Sequence, residues 1–245
     1  MTLAILFSLL GSVGAMAGAA LLLAFPDAMR QRLLPFLLSY ATGTLLGAAF
    51  LGMIPKGLEM APALAVSGTV LAGLVGFFIL EKGVIWRHCH DQDCAAHSHQ
   101  GGTLILVGDA FHNFVDGVVI AAAFLTSPTL GIATALAVIA HEIPQELGDF
   151  AILLNSGLSK ARAFTYNLIS SLTTLPGVIL GWYWLADVRQ AIPYVLAISA
   201  ASFIYIAISD LVPTLHRHTT LKSSVTQVVL LMAGIATIAL FRFGH

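Results

Sequence analysis

The chain has 245 residues, 58% of them hydrophobic and only 9% charged, with a net charge of -1 and a mean hydropathy of +0.92. A soluble domain carries about 25% charged residues, so this composition excludes a soluble globular fold. The near-neutral charge also removes any electrostatic case for a nucleic-acid partner.

Apolar runs of about 20 residues match the length a helix needs to cross the hydrocarbon core of a bilayer. An outer-membrane barrel would instead show alternating segments of about 10 residues. The expected fold is therefore an all-α integral membrane protein. It has eight helices, near Leu3–Phe25, Leu34–Ile54, Ala63–Ile85, Thr103–Thr126, Leu130–Asn155, Ala163–Ala186, Ile192–Leu215 and Val225–Phe241. Short joints make this one transmembrane domain over residues 1–245. The first run lacks a basic leader and is long, so it reads as a retained helix and not as a signal peptide. Pro26, Pro55, Pro62, Pro128 and Pro193 punctuate the joints, where proline starts or stops helices.

Lys and Arg set the orientation. One set of joints holds Arg30, Arg32, Lys82, Arg87, Lys160, Arg162, Arg217 and Lys222, and the other holds Lys56, Arg189 and Arg242. The richer side faces the cytoplasm by the positive-inside rule, which puts both termini on the opposite side. The compact length and the lack of a metal-binding ectodomain favour a bacterial inner membrane.

The longest joint, Trp86 to Gly102, falls on the cytoplasmic side and packs His88, Cys89, His90, Asp91, Asp93, Cys94, His97 and His99 together. Imidazoles and thiols this dense can gather Zn²⁺ or similar ions. The spacing is not that of a closed tetrahedral site, and two cysteines in one loop provide no disulfide framework. A weaker signal is the echo between Phe50–Pro55 and Ser209–Pro213, near the ends of oppositely directed helices two and seven. Inverted repeats of this sort are a common transporter plan.

The fourth and fifth helices carry the chemistry. Asp109, His112, Asn113, Asp116, His141, Glu142, Gln145, Glu146 and Asp149 fall at or near membrane depth, where each ionisable group is costly and marks a functional site. Any one of them could serve a structural hydrogen-bond network, but nine on adjacent helices point to a task. His112 and Asp116 are four apart, as are His141 and Gln145, so each pair shares a helix face. Facing each other, the two pairs present two nitrogen and two oxygen donors to one point. That set suits Zn²⁺, and nearly as well Fe²⁺ or Mn²⁺. Asn113 and Glu142 lie about 100° around each helix and would build a neighbouring second site. Glu146, Asp149 and Asp109 continue the polar face toward the cytoplasm. Pro144, inside the fifth helix, frees the carbonyl of Ala140 and predicts a kink there. Ser170, Ser171, Thr173 and Thr174 read as packing or as weak ligands. Asp210 reads as a gating group or a helix–helix hydrogen bond, and Glu59 and Glu81 as solvated faces.

The stretches HNFVDG (His112–Gly117) and HEIPQELGDFAILL (His141–Leu154), with FIYIAISDLVP (Phe203–Pro213), resemble the ZIP (Zrt-, Irt-like) family of divalent metal transporters over essentially the whole chain. The resemblance implies a 3+2+3 helix bundle with its metal site between helices four and five. It also implies transport of Zn²⁺, Fe²⁺, Mn²⁺ or Cd²⁺ into the cytosol by alternating access, often as a homodimer. It maps a transport site onto His112, Asp116, His141 and Gln145, and a second site onto Asn113, Glu142 and a bridging Gln145. Other members carry Glu or His where this chain has Gln145. A neutral amide cannot bridge two cations as a carboxylate does, so one principal site with a weaker neighbour is expected.

Two other function classes are weighed. An intramembrane metalloprotease is suggested by the likeness of HEIPQE to H-E-x-x-H, but that motif needs His at the fifth position, where this chain has Gln145. A metal sensor would need a soluble output domain, for which the apolar composition leaves no room.

Overall fold

The structure, a computed structural model, describes residues 1–88, 98–216 and 220–243. These form eight long helices: α1 (Thr2–Ala24), α2 (Ala28–Met60), α3 (Ala63–His88), α4 (Ser98–Thr126), α5 (Pro128–Asn155), α6 (Lys160–Asp187), α7 (Arg189–Leu215) and α8 (Leu221–Phe243). The Cys- and His-rich stretch of residues 89–97 lies outside the described residues. Seven helices contain a segment long and apolar enough to cross a membrane. The exception is α5, whose apolar run is broken by Glu142, Glu146 and Asp149. It survives at membrane depth because α1, α2, α4, α6 and α8 all pack against it. The chain is a multi-pass membrane protein.

Burial follows the logic of a bilayer, in which large apolar residues face lipid and small ones face the protein. On α1 the buried stripe is Ala4, Ser8, Ser12, Ala15 and Ala19, while Leu3, Leu6, Leu10, Val13 and Leu21 are exposed. Glycine permits two especially close crossings. A Cβ on Gly117 of α4 would lie 2.1 Å from the Thr174 carbonyl oxygen of α6, and one on Gly43 of α2 would lie 2.1 Å from the Leu231 carbonyl oxygen of α8.

The main pairings are α4 with α6, α1 with α5, α3 with α7 and α2 with α8. Exchanging the first three helices with the last three, and α4 with α5, maps these pairs onto one another. This is the pattern of an inverted repeat. The echo between helices two and seven falls on matching irregularities. α2 contains a π-turn at Ala48–Met53 just before Pro55, and α7 contains one at Ala207–Leu211 just before Pro213. Proline lacks an N–H, and a wider turn absorbs the lost bond. Pro55 therefore does not end α2, which runs on to Met60.

Helix ends explain the short joints. Ser127 accepts a hydrogen bond from the Leu130 N–H and Pro128 occupies the first turn, which starts α5. Gly157 has φ 91°, with Gly157 N–H bonded to Leu154 O and Leu158 N–H to Leu153 O, a Schellman stop for α5. Between these ends α5 stays helical through Pro144. The interruptions occur in its neighbours, as π-turns in α1, α2 and α7 and a break at Leu172–Thr173 in α6.

Candidate metal centre

α4 and α5 together hold five carboxylates (Asp109, Asp116, Glu142, Glu146 and Asp149) and, besides His99 in the first turn of α4, the histidines His112 and His141, and neither helix contains a Lys or Arg. Where α4 and α5 face each other, one donor atom from each of His112, Asp116, His141 and Glu142 lies within 4.8 Å of the other three. His141 Nε2 lies 3.3 Å from His112 Nε2 and 3.3 Å from Asp116 Oδ2. Glu142 Oε1 lies 3.5 Å from His112 Nε2 and 3.6 Å from His141 Nε2, and His112 Nε2 lies 3.8 Å from Asp116 Oδ2. Donors held 2.0–2.1 Å from a tetrahedral zinc ion are about 3.4 Å apart, so this quartet is spaced like a zinc coordination shell.

The donors are oriented, and three of the carboxylate oxygens are left without partners. His141 Nδ1 donates to the Ala137 carbonyl oxygen at 2.9 Å, which turns the lone pair of Nε2 toward the centre. The His141 ring also packs edge-on against Phe203 of α7, with centroids 5.8 Å apart. Asp116 Oδ2 and both Glu142 carboxylate oxygens are buried with no hydrogen-bond donor. Buried acceptors are rarely left unmatched, and those that are call for an unseen partner.

His112 and His141 stand at the head of a cavity of about 450 Å³, which extends past Asp109, Gln145 and Asp149 to the exposed Asp210. It leads toward the side where α4 begins and α5 and α7 end. In the opposite direction the way is filled by buried residues, among them Ile120, Ala121, Ala137, Val138 and Phe203.

The remaining expected ligands are placed differently. The Gln145 amide nitrogen donates to Asp109 Oδ1 at 3.2 Å, and the Asn113 amide nitrogen donates to the same oxygen at 2.9 Å. Asn113 Oδ1 accepts from the Thr174 hydroxyl at 3.0 Å. Both amides thus fix Asp109, while Glu142 joins the histidines in the place where i, i+4 spacing put Gln145. Ser170 also serves Asp109, its hydroxyl lying 2.5 Å from Asp109 Oδ2. Asn167, whose amide nitrogen lies 2.5 Å from Glu146 Oε2, was not singled out from the sequence. Its signal was the polar stripe Asn167, Ser170, Ser171, Thr174, which keeps one face of α6 at spacings of three, four and seven. At the periphery, exposed Glu59 pairs with Lys56 at 2.7 Å, and exposed Glu81 accepts from Tyr205 across α3 and α7.

Comparison with known proteins identifies relatives of this chain. A family model described as ZIP zinc transporter matches residues 86–242. A Danio rerio protein named zinc transporter ZIP10 is 41% identical over 110 residues, covering 45% of this chain and 13% of that protein. A Pongo abelii protein named zinc transporter ZIP13 is 32% identical over 220 residues, covering 84% of this chain and 66% of that protein. A Caenorhabditis elegans protein named zinc transporter zipt-7.2 is 31% identical, covering 83% of this chain and 57% of that protein. The chain thus spans only part of the length of each.

Proposed function

The chain belongs to the ZIP zinc transporter family, and on that premise we propose that it moves divalent transition-metal ions, Zn²⁺ foremost, across a membrane into the cytosol. His112, Asp116, His141 and Glu142 hold the ion in transit. The observation that carries this reading is the four-donor quartet at the closed head of a one-sided cavity. Two imidazole nitrogens and two carboxylate oxygens suit zinc and admit Fe²⁺, Mn²⁺ and Cd²⁺.

The cavity leads to the side richer in Lys and Arg, so the positive-inside rule makes this the cytoplasm-open state, with both termini on the far side. In the opposite state the packed region around Ile120, Ala137 and Phe203 parts to admit the ion, and the cavity closes. Matching π-turns in α2 and α7 supply backbone that can change register during that exchange. Asp109, Asp149 and Asp210 line the way out. Asn113 and Gln145 act as positioning residues through Asp109, and the orientation of Gln145 away from the histidines also disfavours protease chemistry.

Metal uptake into proteoliposomes tests the reading, with Zn²⁺, Fe²⁺, Mn²⁺ and Cd²⁺ compared for wild type and His112→Ala. Uptake by wild type that is lost in the variant is the expected result. Absence of uptake by well-folded wild type would refute transport, and uptake that survives the substitution would refute the ligand set.

A further inference from the structure

Away from the metal centre, α2 and α8 both begin on the side richer in Lys and Arg, and between their first turns lies a cavity of about 250 Å³. Its walls are Gln31, Arg32, Pro35 and Phe36 of α2, with Thr220, Ser223 and Thr226 at the start of α8. No carboxylate lines it. The sequence on either side is almost as bare of acid. Asp27 is the only Asp or Glu before Glu59, and none follows Asp210.

Hydrogen bonding sets the polarity of this space. Thr220 Oγ1 accepts from the Ser223 N–H at 3.3 Å, and Ser223 Oγ accepts from the Gln227 amide nitrogen at 3.3 Å. Each hydroxyl oxygen is engaged from within the protein, which leaves its proton to donate outward. Arg32 is exposed, and no carboxylate among the described residues pairs with it. Its planar fork of N–H groups matches a phosphate, and hydroxyl donors complete such a site. We propose that this cavity binds the phosphate of an anionic phospholipid from the cytoplasmic leaflet, with Arg32 as its cation and Thr220 and Ser223 as hydroxyl donors.

Depth selects a lipid over a soluble anion. α2 starts at Ala28 and α8 at Leu221, so the cavity sits within two or three turns of both helix ends. From there inward α8 exposes Val225, Val228, Val229 and Met232, the apolar surface that acyl chains cover. Head groups lie at this level, and basic hollows between helices on the cytoplasmic side hold the anionic ones. The choice of leaflet rests on the orientation proposed above, but the binding itself does not. A bound head group clamps α2 to α8 at one end. Deeper in the membrane the two helices already meet closely, with the Tyr40 hydroxyl donating to Thr237 Oγ1 at 3.1 Å. α2 also contributes Leu38 to the wall of the metal-bearing cavity, two residues after Phe36. The lipid therefore steadies a helix that borders the way out for the ion.

The test uses the full chain in a neutral detergent. Native mass spectrometry counts bound dioctanoyl phosphatidylglycerol against dioctanoyl phosphatidylcholine at equal concentration, with thermal unfolding followed in parallel. Wild type is expected to bind phosphatidylglycerol in preference to phosphatidylcholine and to melt higher with it. Arg32→Ala should weaken phosphatidylglycerol binding about fivefold, the worth of one Arg at a membrane surface. Ser223→Ala should weaken it as well, and carries the test if Arg32→Ala does not fold. Arg189→Ala removes the same charge from an exposed position on the opposite side and should bind as wild type does. The site is refuted if phosphatidylcholine binds as well as phosphatidylglycerol, or if Arg32→Ala and Ser223→Ala both bind like wild type. A loss in Arg189→Ala equal to that in Arg32→Ala would also refute it, since net charge alone would then explain the effect. Inorganic phosphate at the same concentration should leave the melting temperature unchanged. Protection by phosphate equal to that by the lipid would overturn the lipid assignment in favour of a soluble anion.

Discussion

Gly117 sits on α4 one residue after Asp116, against the backbone of α6. A Cβ there would lie 2.1 Å from Thr174 O, 2.6 Å from Val178 N and 3.0 Å from Gly177 C. All three are backbone atoms, which cannot swing aside as the end of a side chain can. Reaching ordinary contact requires Gly117→Ala to part α4 from α6 by roughly 1.3 Å, and overpacking of this kind costs about 1–3 kcal/mol. For a chain of this size that lowers the melting temperature by roughly 2–12 °C. The same displacement moves His112 and Asp116 relative to α5, well beyond the roughly 0.5 Å that a metal shell tolerates. Zn²⁺ affinity should therefore fall with stability. Gly108→Ala and Gly148→Ala are the controls, because a Cβ at either position meets nothing within 4 Å. The assay is thermal unfolding in detergent with and without Zn²⁺, alongside a binding titration. A Gly117→Ala protein that melts and binds Zn²⁺ like the controls would refute this account of the α4–α6 contact.

Further expectations concern the carboxylates. Asp116→Asn removes an anionic donor from a buried quartet and should weaken Zn²⁺ binding on the order of 100-fold, as measured by competition with a chelating dye. Ser170→Ala removes the hydroxyl 2.5 Å from Asp109 Oδ2 and should destabilise the metal-free protein by about 1–3 kcal/mol, read as a lower midpoint in thermal unfolding. Gln145→Glu replaces a donor 3.2 Å from Asp109 Oδ1 with a like charge. The metal-free variant should melt below wild type.

Much of this architecture is legible in the sequence, for reasons that differ from residue to residue. Seven long apolar runs, and an eighth broken by carboxylates in α5, are legible as eight helices because lipid forbids unpaired backbone. Helix ends are less legible, because helices continue past the apolar core. α2 extends to Met60 beyond Pro55, and α4 begins at Ser98. The spacing of His112 and Asp116 correctly put both on one face of α4. What spacing could not give is the roll of α5 about its own axis. That roll is set by neighbours such as Phe203 against His141, and by the Asp109 carboxylate, which draws Gln145 away. A rotation of about 100° makes Glu142 the partner of the histidines. Pro144 does not interrupt the fifth helix. α5 keeps its helix because five others enclose it, and the irregular turns fall in α1, α2, α6 and α7.

The four-donor centre is tested most directly by X-ray absorption at the zinc edge on protein loaded with one equivalent of Zn²⁺. Two imidazole nitrogens and two carboxylate oxygens at about 2.0–2.2 Å are expected, with the imidazole signal halved in His141→Ala. A shell without imidazole, or one containing sulfur at about 2.3 Å as Cys89 and Cys94 would supply, would contradict a centre built from His112, Asp116, His141 and Glu142.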